Sequence, residues 1–336
     1  MKVSIIVPVY NVAEYIEKCV KSVMAQDYEG MIECFLIDDC GSDDSIDICE
    51  RLIGGYDGKI VFKILRHEKN GGLSAARNTG IRAATGDYLY FLDSDDALYP
   101  YTIRLLVEKT EEYGDVDIVQ GVMIRSTPGE DGLLSGISYL WIPEYRHERK
   151  DVKKTIINMP PQAWNKLIRR EFITGNGLFY VDGLIHEDEM WRTMAAKYVK
   201  SIAYCHAITY WHRTDNPISI MHTKVSMKRV DSYMKIMEYK VSNLDSEVKD
   251  VDAKHMIILT QKWQESANRF LDRKDSEIKQ RLGEFWRFAK ACERPALVKY
   301  LLLYWTLPYA LTSNRILRYL HKRISAKLAE RYINGK

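Results

Sequence analysis

The sequence predicts an α/β fold built on a mostly parallel sheet with helices on both faces. Four apolar segments with strand character alternate with helix-forming segments over residues 3–96. The first segment, residues 3–9, is a β-branched run of the kind found in strands that are covered on both faces. Strands and helices that alternate in this way form parallel sheets with right-handed crossovers.

Each element follows from a local pattern. The helix after Asn11 carries apolar side chains on one face, and a turn with N-cap chemistry starts the next helix at Ser45. A turn with two adjacent glycines, Gly71 and Gly72, precedes the third helix. The predicted helices end near Met24, Leu52 and Ala84, and the predicted strands are residues 3–9, 32–37, 59–65 and 88–92. Residues 126–154 have the composition of a loop.

Polar side chains follow three of the four predicted strands. Tyr10 and Asn11 follow the first strand, Asp39 follows the second, and an acidic run from Asp93 to Asp96 follows the fourth. The carboxyl ends of parallel strands meet at one edge of the sheet, where open α/β sheets bind their ligands. We therefore predict a ligand site at this edge.

The acidic run is the strongest chemical signal in the chain. Asp93, Asp95 and Asp96 place three carboxylates at the exit of an aromatic, buried strand, where they repel one another unless a cation lies among them. A divalent cation with oxygen ligands is the usual solution, and such a cation favours a phosphorylated partner. The alternative is an acidic turn exposed to solvent.

Composition limits the class of protein. A chain of 336 residues is long enough for one large domain and an appendage. The net charge of +3 is too small to indicate a nucleic-acid partner, and none is predicted. The six cysteines have no paired spacing, which favours reduced thiols in a cytoplasmic protein. Neither a signal peptide nor a membrane-spanning run is expected.

Positive charge is concentrated near the C-terminus. From Pro295 onward, eight basic residues accompany one acidic residue, Glu330. In a helical projection five aliphatic residues share one face, namely Ile316, Leu317, Leu320, Ile324 and Leu328. Such a helix suits an anionic membrane surface, which would place the protein peripherally on the inner face of the plasma membrane. A helix packed on the rest of the protein fits the pattern equally well.

Seven blocks in a fixed order give the chain a close resemblance to the family 2 glycosyltransferases, inverting enzymes of the GT-A fold. The blocks are residues 4–11 (SIIVPVYN), 36–43 (LIDDCGSD), 71–80 (GGLSAARNTG), 91–96 (FLDSDD), 164–166 (WNK), 186–189 (HEDE) and 210–213 (YWHR). The resemblance covers about the first 220 residues. It implies a GT-A catalytic domain over residues 1–222, with a nucleotide-binding half at 1–120 and an acceptor-binding half at 121–222. Residues 223–336 lie outside the shared pattern and are predicted from their sequence to form a helical C-terminal region.

The resemblance assigns the edge of the sheet to a uridine nucleotide. Tyr10 is implied to stack on the uracil beside Pro8, Asp39 to bond the base edge or the ribose, and Arg77 to face the diphosphate or ribose. The residues assigned to the nucleotide are Pro8, Tyr10, Asn11, Asp39, Arg77, Asn78, Asp93 and Ser94. The alternatives are that Tyr10 caps the hydrophobic core, that Asp39 belongs to a turn and that Arg77 pairs with surface carboxylates.

The acidic run matches the family's DxD motif. By that resemblance Asp95 holds Mn²⁺ or Mg²⁺, Asp93 contacts the ribose or the metal, and Asp96 orients them. His212 is a further candidate metal ligand, with a surface histidine as the alternative.

The block at residues 186–189 resembles the one that supplies the family's catalytic base, which is assigned here to Asp188. Glu187 is the runner-up base or a residue that holds the acceptor. An inverting transfer needs one carboxylate to take the proton of the acceptor hydroxyl. The alternative reading of this acidic block is a helix N-terminus at which the helix dipole favours acidic residues.

Three residues, Trp164, Asn165 and Lys166, are assigned to the acceptor or sugar. An indole stacks on a sugar face, and the amide and ammonium groups bond hydroxyls or phosphate. A tryptophan in the hydrophobic core is the alternative for Trp164.

The resulting hypothesis is metal-assisted transfer of a hexose or N-acetylhexosamine from a UDP-sugar to a hydroxyl of a glycan or lipid-linked glycan. Capsule or O-antigen assembly would fit the basic tail. A nucleotide-sugar-binding or scaffold protein without turnover is the alternative. A dinucleotide-dependent oxidoreductase is disfavoured because the first strand is not followed by a glycine-rich phosphate loop.

Overall fold

The computed structural model describes residues 1–128, 134–139, 149–217 and 226–243, together with seven single residues between 259 and 280. The predicted basic amphipathic tail lies outside the described residues. The chain divides into two compact units, one comprising Met1–Gly183 and Glu187–His222, the other Leu184–His186 and Thr223–Lys336. The division of the chain into a catalytic domain and a C-terminal region stays a prediction.

The first half of the sheet is parallel, as predicted. Its elements are β1 (Lys2–Val9), α1 (Ala13–Met24), β2 (Met31–Asp38), α2 (Ser45–Gly54), β3 (Val61–Arg66), α3 (Leu73–Ala83) and β4 (Tyr88–Phe91). The strand order is β3-β2-β1-β4, and every neighbouring pair is parallel. Where both ends were predicted, observed and predicted bounds agree to within two residues, because β-branched runs and turn residues mark them locally.

The second half of the sheet mixes strand directions. Its elements are β5 (Ala97–Leu98), α4 (Thr102–Tyr113), β6 (Ile118–Pro128), β7 (Leu134–Tyr139), α5 (Arg149–Asn158), β8 (Lys166–Arg169), α6 (Arg170–Gly175), α7 (Glu187–Ala195) and β9 (Ile202–Arg213). Strand β8 is antiparallel to both of its neighbours, β4 and β6, and so joins the two halves. β6 and β9 are parallel.

The predicted loop over residues 126–154 is wrong in part. It contains the end of β6, all of β7 and the first turn of α5. The antiparallel pairing of β6 with β7 supplies backbone hydrogen bonds that turn-like composition does not reveal. Residues 129–133 and 140–148 lie outside the described residues.

The hydrophobic core around β1 and β2 includes a buried acid, Glu33. The side chains of Val3, Ile5 and Val7 in β1 are fully buried in it. Glu33 in β2 accepts hydrogen bonds from Ser4 Oγ at 2.6 Å and from the amide of Thr85 at 2.7 Å. These bonds, with Lys2, lower its pKa to about 2 against the opposing effect of burial. Glu33 therefore links β1, β2 and the segment before β4 near the amino-terminal ends of these strands.

The second unit contains helix α8 (Met227–Ser242), of which Val230, Ile236 and Met237 are buried. No helix among the described residues is both long and apolar enough to cross a membrane.

Candidate active site

The carboxyl ends of β1, β2 and β4 bring the predicted residues to one edge of the sheet. Beyond the strand ends, the amide of Asp39 donates to Val9 O at 3.0 Å, and the amide of Leu92 donates to Ile6 O at 3.0 Å. These bonds extend the parallel register past β2 and β4. Tyr10, Asp39 and the acidic run from Asp93 to Asp96 thus converge, as the alternation of strands and helices predicted.

Tyr10 is held out from the protein by a braced loop. Its side chain is 48% exposed, although the preceding Pro8 is buried in β1. Asn11 adopts a left-handed backbone with φ of 51°, and its Oδ1 accepts the amide of Ser42 at 2.7 Å. The amide of Ala13 donates to Asp43 Oδ2 at 2.8 Å. The β1–α1 loop is therefore fixed to the β2–α2 loop, and an aromatic face is available to a flat ligand.

Asp39 is buried at this edge and is only 3% exposed. Its Oδ1 accepts the amide of Gly71 at 2.7 Å and lies 2.7 Å from His67 Nδ1. Its Oδ2 accepts the amide of Gly72 at 2.8 Å. The carboxylate thus fixes the turn before α3, and its predicted contact with a base or ribose stays a prediction.

The acidic run forms a turn in which the carboxylates have different environments. Asp96 is buried, and it accepts Tyr210 Oη at 2.6 Å and the amide of Arg213 at 2.8 Å. Burial, then the Asp95 and Asp93 carboxylates, raise the pKa of Asp96 well above its usual range. Ser94 is also buried. Asp96 therefore anchors the turn to β9 rather than facing a ligand.

Asp93 and Asp95 are half-buried and keep carboxylate surface at the edge. Asp93 Oδ1 accepts Arg77 Nη2 at 2.9 Å, and Asp95 Oδ2 accepts Asn216 Nδ2 at 2.7 Å. Burial raises the pKa of Asp93, and Arg77 opposes that shift while Asp95 adds to it. Each carboxylate is thus held through one oxygen.

Arg77 is not displayed at the surface of the site. It is 2% exposed on α3, where Nη1 donates to Glu187 Oε1 at 2.5 Å and its guanidinium lies 5.3 Å from the Tyr180 ring centroid. Asp93 and Glu187 raise its pKa against the effect of burial. The structure therefore places the arginine between two carboxylates, and a contact with the diphosphate stays a prediction.

Asn78 is also directed into the protein. Its Nδ2 donates to Tyr180 O at 2.8 Å, and its Oδ1 accepts the Tyr180 amide at 2.8 Å. These hydrogen bonds link α3 to the segment that precedes α7. Its predicted nucleotide contact is likewise untested.

The acidic block 186–189 starts α7 at Glu187, as the helix-dipole alternative proposed. Glu187 pairs with Arg77, and Glu189 pairs with Arg192. Burial raises the pKa of Glu187, which Arg77 opposes. Within the described part of the chain, Asp188 forms no ion pair, and its Oδ1 accepts the amide of Glu189 at 2.8 Å. Glu187 and Glu189 are thus each engaged with an arginine, and the assignment of the base to Asp188 stays a prediction.

The residues predicted to bind the acceptor lie in the interior. Trp164 is 5% exposed and stacks on Tyr210, with ring centroids 4.5 Å apart and planes at 9°. Asn165, with a φ of 57°, accepts Thr209 Oγ1 at 2.7 Å and donates to Gly121 O at 2.8 Å. The alternative of a core tryptophan describes this arrangement, while direct contact with a sugar stays a prediction.

Lys166 is 4% exposed on β8, and its Nζ donates to Gln162 O. Burial lowers its pKa to about 7, an effect that the Asp188 carboxylate opposes. The charge of this buried lysine is therefore coupled to the Asp188 carboxylate.

His212 lies near the end of β9, and its ring stacks on Trp164 with centroids 5.2 Å apart. Its Nδ1 is buried and has no hydrogen-bond partner among the residues that the structure describes. Burial and Arg125 lower the pKa of His212 to about 4, and Asp93 opposes the shift. The imidazole is therefore neutral at pH 7, the form that ligates metals.

A family model described as glycosyl transferase family 2 matches residues 4–174, which is half of the chain. The chain belongs to that family. The resemblance drawn from the seven sequence blocks is thereby confirmed. The matched residues include the edge of the sheet, the acidic turn and the Trp164 block.

Relatives and solved structures agree with this membership. The chain is 29% identical over 241 residues to the uncharacterized glycosyltransferase YibD of Escherichia coli (strain K12), covering 66% of this chain and 64% of YibD. It is 34% identical over 223 residues to the uncharacterized glycosyltransferase EpsJ of Bacillus subtilis (strain 168), covering 65% of this chain and 62% of EpsJ. The match therefore spans less than two thirds of either relative.

The fold is that of a GT-A glycosyltransferase. A crystal structure of Staphylococcus aureus TarS residues 1–349 in complex with UDP-GlcNAc superposes with a TM-score of 0.68 at 20% identity, covering 100% of this chain and 93% of that one. At this level of identity the likeness establishes the fold, and the predicted GT-A architecture is confirmed.

The side chains at this family 2 site carry the kinds of ligand atom that divalent cations bind. Asp93 and Asp95 supply carboxylate oxygens. His212 supplies a neutral nitrogen that has no hydrogen-bond partner in the described part of the chain. No group of three or more such side chains is preassembled among the described residues. Few protein ligands are expected where phosphate oxygens and water complete an octahedron. Asp93 and Asp95 would hold such a cation, with His212 as a third candidate.

Several residues that support this family 2 site were not predicted from the sequence to do so. Tyr210 and Asn216 hold the acidic turn, His67 contacts Asp39, and Tyr180 lies on Arg77. Tyr210 belongs to a block that was recognised, but its tie to Asp96 depends on the β5–β9 pairing. The position of His67 directly after β3 was a usable signal, because that strand also ends at the site edge.

Proposed function

We propose that this chain is an inverting glycosyltransferase that moves a hexose or N-acetylhexosamine from a UDP-sugar to a hydroxyl of a glycan acceptor. One observation carries the proposal: the carboxylate of Asp188, which forms no ion pair among the described residues, follows Glu187, and Glu187 is tied through Arg77 to Asp93. A carboxylate suited to a metal diphosphate is thus linked through Arg77 to the residue that precedes the proposed proton acceptor.

The nucleotide end of the site is Tyr10 with the Asp39 carboxylate. An exposed aromatic ring stacks on a flat base, and a carboxylate accepts an N–H from a base edge or a hydroxyl from ribose. The solved complex of TarS with UDP-GlcNAc supports a UDP-sugar as the donor.

The diphosphate end is Asp93 and Asp95. A Mn²⁺ or Mg²⁺ ion held there would neutralise charge on the departing UDP. Asp96, bonded to Tyr210 and Arg213, keeps the turn in place. Burial raises the pKa of Asp93, and Arg77 opposes that rise.

The transfer itself is a single displacement. Asp188 accepts the proton of the acceptor hydroxyl while that oxygen bonds to the anomeric carbon, and the bond from that carbon to the UDP oxygen breaks. The sugar inverts because attack and departure occur on opposite faces. No covalent enzyme intermediate is needed, so a second nucleophile is not required.

The acceptor is proposed to be a glycan or a lipid-linked glycan of cell-surface polysaccharide synthesis, such as capsule or O-antigen, with the enzyme cytoplasmic or peripheral on the membrane. TarS, 24% identical over 255 residues, is a poly(ribitol-phosphate) β-N-acetylglucosaminyltransferase, which supports a polymeric acceptor. The basic tail that would meet an anionic membrane lies outside the described residues.

The test is UDP release from a panel of UDP-hexoses and UDP-N-acetylhexosamines with Mn²⁺ and lipid-linked acceptors. For the active donor, Asp188→Asn should lower turnover by about a thousandfold while UDP binding persists, because a positioned base contributes about 10²–10⁴. The exposed Glu171→Gln is the matched control. Nucleotide-sugar binding without turnover by any pair would favour the scaffold alternative, and an active Asp188→Asn variant would place the base elsewhere.

A further inference from the structure

A chain of hydrogen bonds crosses the edge of the sheet through His67. Its Nδ1 lies 2.7 Å from Asp39 Oδ1 and its Nε2 lies 2.8 Å from Thr79 Oγ1. Because a carboxylate only accepts hydrogen bonds, Nδ1 is the donor to Asp39. One ring therefore joins the end of β2, the end of β3 and the middle of α3.

Asp39 also holds the backbone of the turn before α3 through hydrogen bonds. Its Oδ1 accepts the amide of Gly71 at 2.7 Å and its Oδ2 the amide of Gly72 at 2.8 Å. The turn requires both glycines: Gly72 has a φ of 84°, and a Cβ on Gly71 would lie 2.8 Å from Ala75 Cβ. This turn starts the helix that carries Arg77.

The two carboxylate oxygens of Asp39 differ in how many further hydrogen bonds they can accept. In the described chain, Oδ1 meets two donors, His67 and Gly71, whereas Oδ2 accepts Gly72. Each carboxylate oxygen offers about two acceptor positions. The ring of His67 thus fills Oδ1 and leaves Oδ2 to accept a further N–H or O–H.

We propose that His67 is a positioning residue for the donor nucleotide, fixing the Asp39 carboxylate so that Oδ2 accepts an N–H from a uracil-like base edge. This inference rests on the proposed function, because it requires a nucleotide at this edge. It also gives a basis for selectivity: the uracil edge presents N3–H as a donor, whereas N3 of cytosine is an acceptor and would meet a carboxylate unfavourably.

The side chain of His67 is separable from the folding of its loop. The amide of His67 donates to Asp38 O at 2.9 Å, and its carbonyl accepts Cys40 Sγ at 2.7 Å. The backbone at this position is therefore held by bonds that a side-chain substitution leaves in place, so variants at position 67 are suitable for binding measurements.

The experiment is calorimetric titration of UDP and CDP into the wild type, His67→Ala and His67→Asn, with Mn²⁺ present. His67→Ala should weaken UDP binding about tenfold, the effect of losing a hydrogen bond to a charged group, and weaken CDP binding less. His67→Asn should recover much of the difference, because its amide can donate to Asp39. In turnover, KM for the donor should rise more than kcat falls. The exposed neighbour Glu68→Gln is the control.

Hydrogen exchange of the Gly71 and Gly72 amides provides a readout without nucleotide. Both should exchange faster in His67→Ala, because Asp39 loses its fixed orientation. Equal UDP affinity in His67→Ala and the wild type would overturn this inference alone. A wild type that binds no nucleoside diphosphate would overturn the proposed function and the nucleotide role together, whatever the amides do.

Discussion

Arg77 and Glu187 are 110 residues apart in sequence, and their side chains meet at 2.5 Å between Nη1 and Oε1. The other terminal nitrogen of Arg77 reaches Asp93 at 2.9 Å. One buried cation therefore joins α3, the acidic turn after β4 and the first residue of α7. Because Asp188 follows Glu187, this bridge fixes the separation between the proposed base and the carboxylates proposed for the metal.

Replacing Arg77 by alanine should leave two carboxylates without their cation. We expect a loss of about 3–5 kcal/mol in the free energy of unfolding. Transfer should fall by about a hundredfold, since small displacements of catalytic groups have that effect. Urea unfolding and UDP release would measure both. Arg82→Ala, an exposed arginine on the same helix, is the control. Weaker UDP binding with unchanged stability would show that Arg77 is a diphosphate ligand.

The neighbours Asp95 and Asp96 should give opposite phenotypes. Asp95→Asn should abolish metal-dependent UDP binding and change the free energy of unfolding by less than about 1 kcal/mol, as is usual for a residue outside the core. Asp96→Ala should cost about 2 kcal/mol, because the buried Tyr210 hydroxyl and the Arg213 amide lose their acceptor. UDP titration with and without Mn²⁺, beside urea unfolding, separates the two. The reverse pattern would exchange their roles.

Lys166 should make stability depend on pH. Its pKa is about 7 in the folded protein and 10.5 for an ordinary lysine, so between these values the unfolded chain binds more protons. Stability due to this group therefore rises with pH, by about 1.4 kcal/mol per unit. The difference in unfolding free energy between the wild type and Lys166→Met, measured from pH 7 to 10, isolates this effect from tyrosines and cysteines. A constant difference would mean that Lys166 stays charged.

Substitution of Trp164 tests whether this residue is part of the hydrophobic core or a platform on which a sugar stacks. It stacks on Tyr210 and is almost fully buried, so Trp164→Ala should lower the free energy of unfolding by about 3–5 kcal/mol. Trp164→Phe should retain part of this stability. A sugar platform would instead raise the acceptor KM and leave the melting temperature unchanged. Thermal unfolding with acceptor titration decides between them.

Local sequence was sufficient for much of the fold. Residues 3–9 and 32–37 were recognisable as buried strands because a β-branched run without polar alternation has few other stable environments. The polar residues after those strands predicted one ligand edge, because parallel strands end on the same side. The antiparallel strand β8 was not predicted, since its pairing partners, β4 and β6, precede it by dozens of residues.

The family was recognisable from its resemblance in seven ordered sequence blocks. The parallel half of the sheet and the convergence of Tyr10, Asp39 and Asp93 followed from local periodicity and strand direction. Tertiary structure alone decided which side chains face inward. Arg77 and Trp164 occupy recognised blocks, yet packing directs one to Glu187 and the other to Tyr210. A motif specifies residue types and spacing, whereas the partner of a buried charge or ring depends on chain segments brought together only by folding.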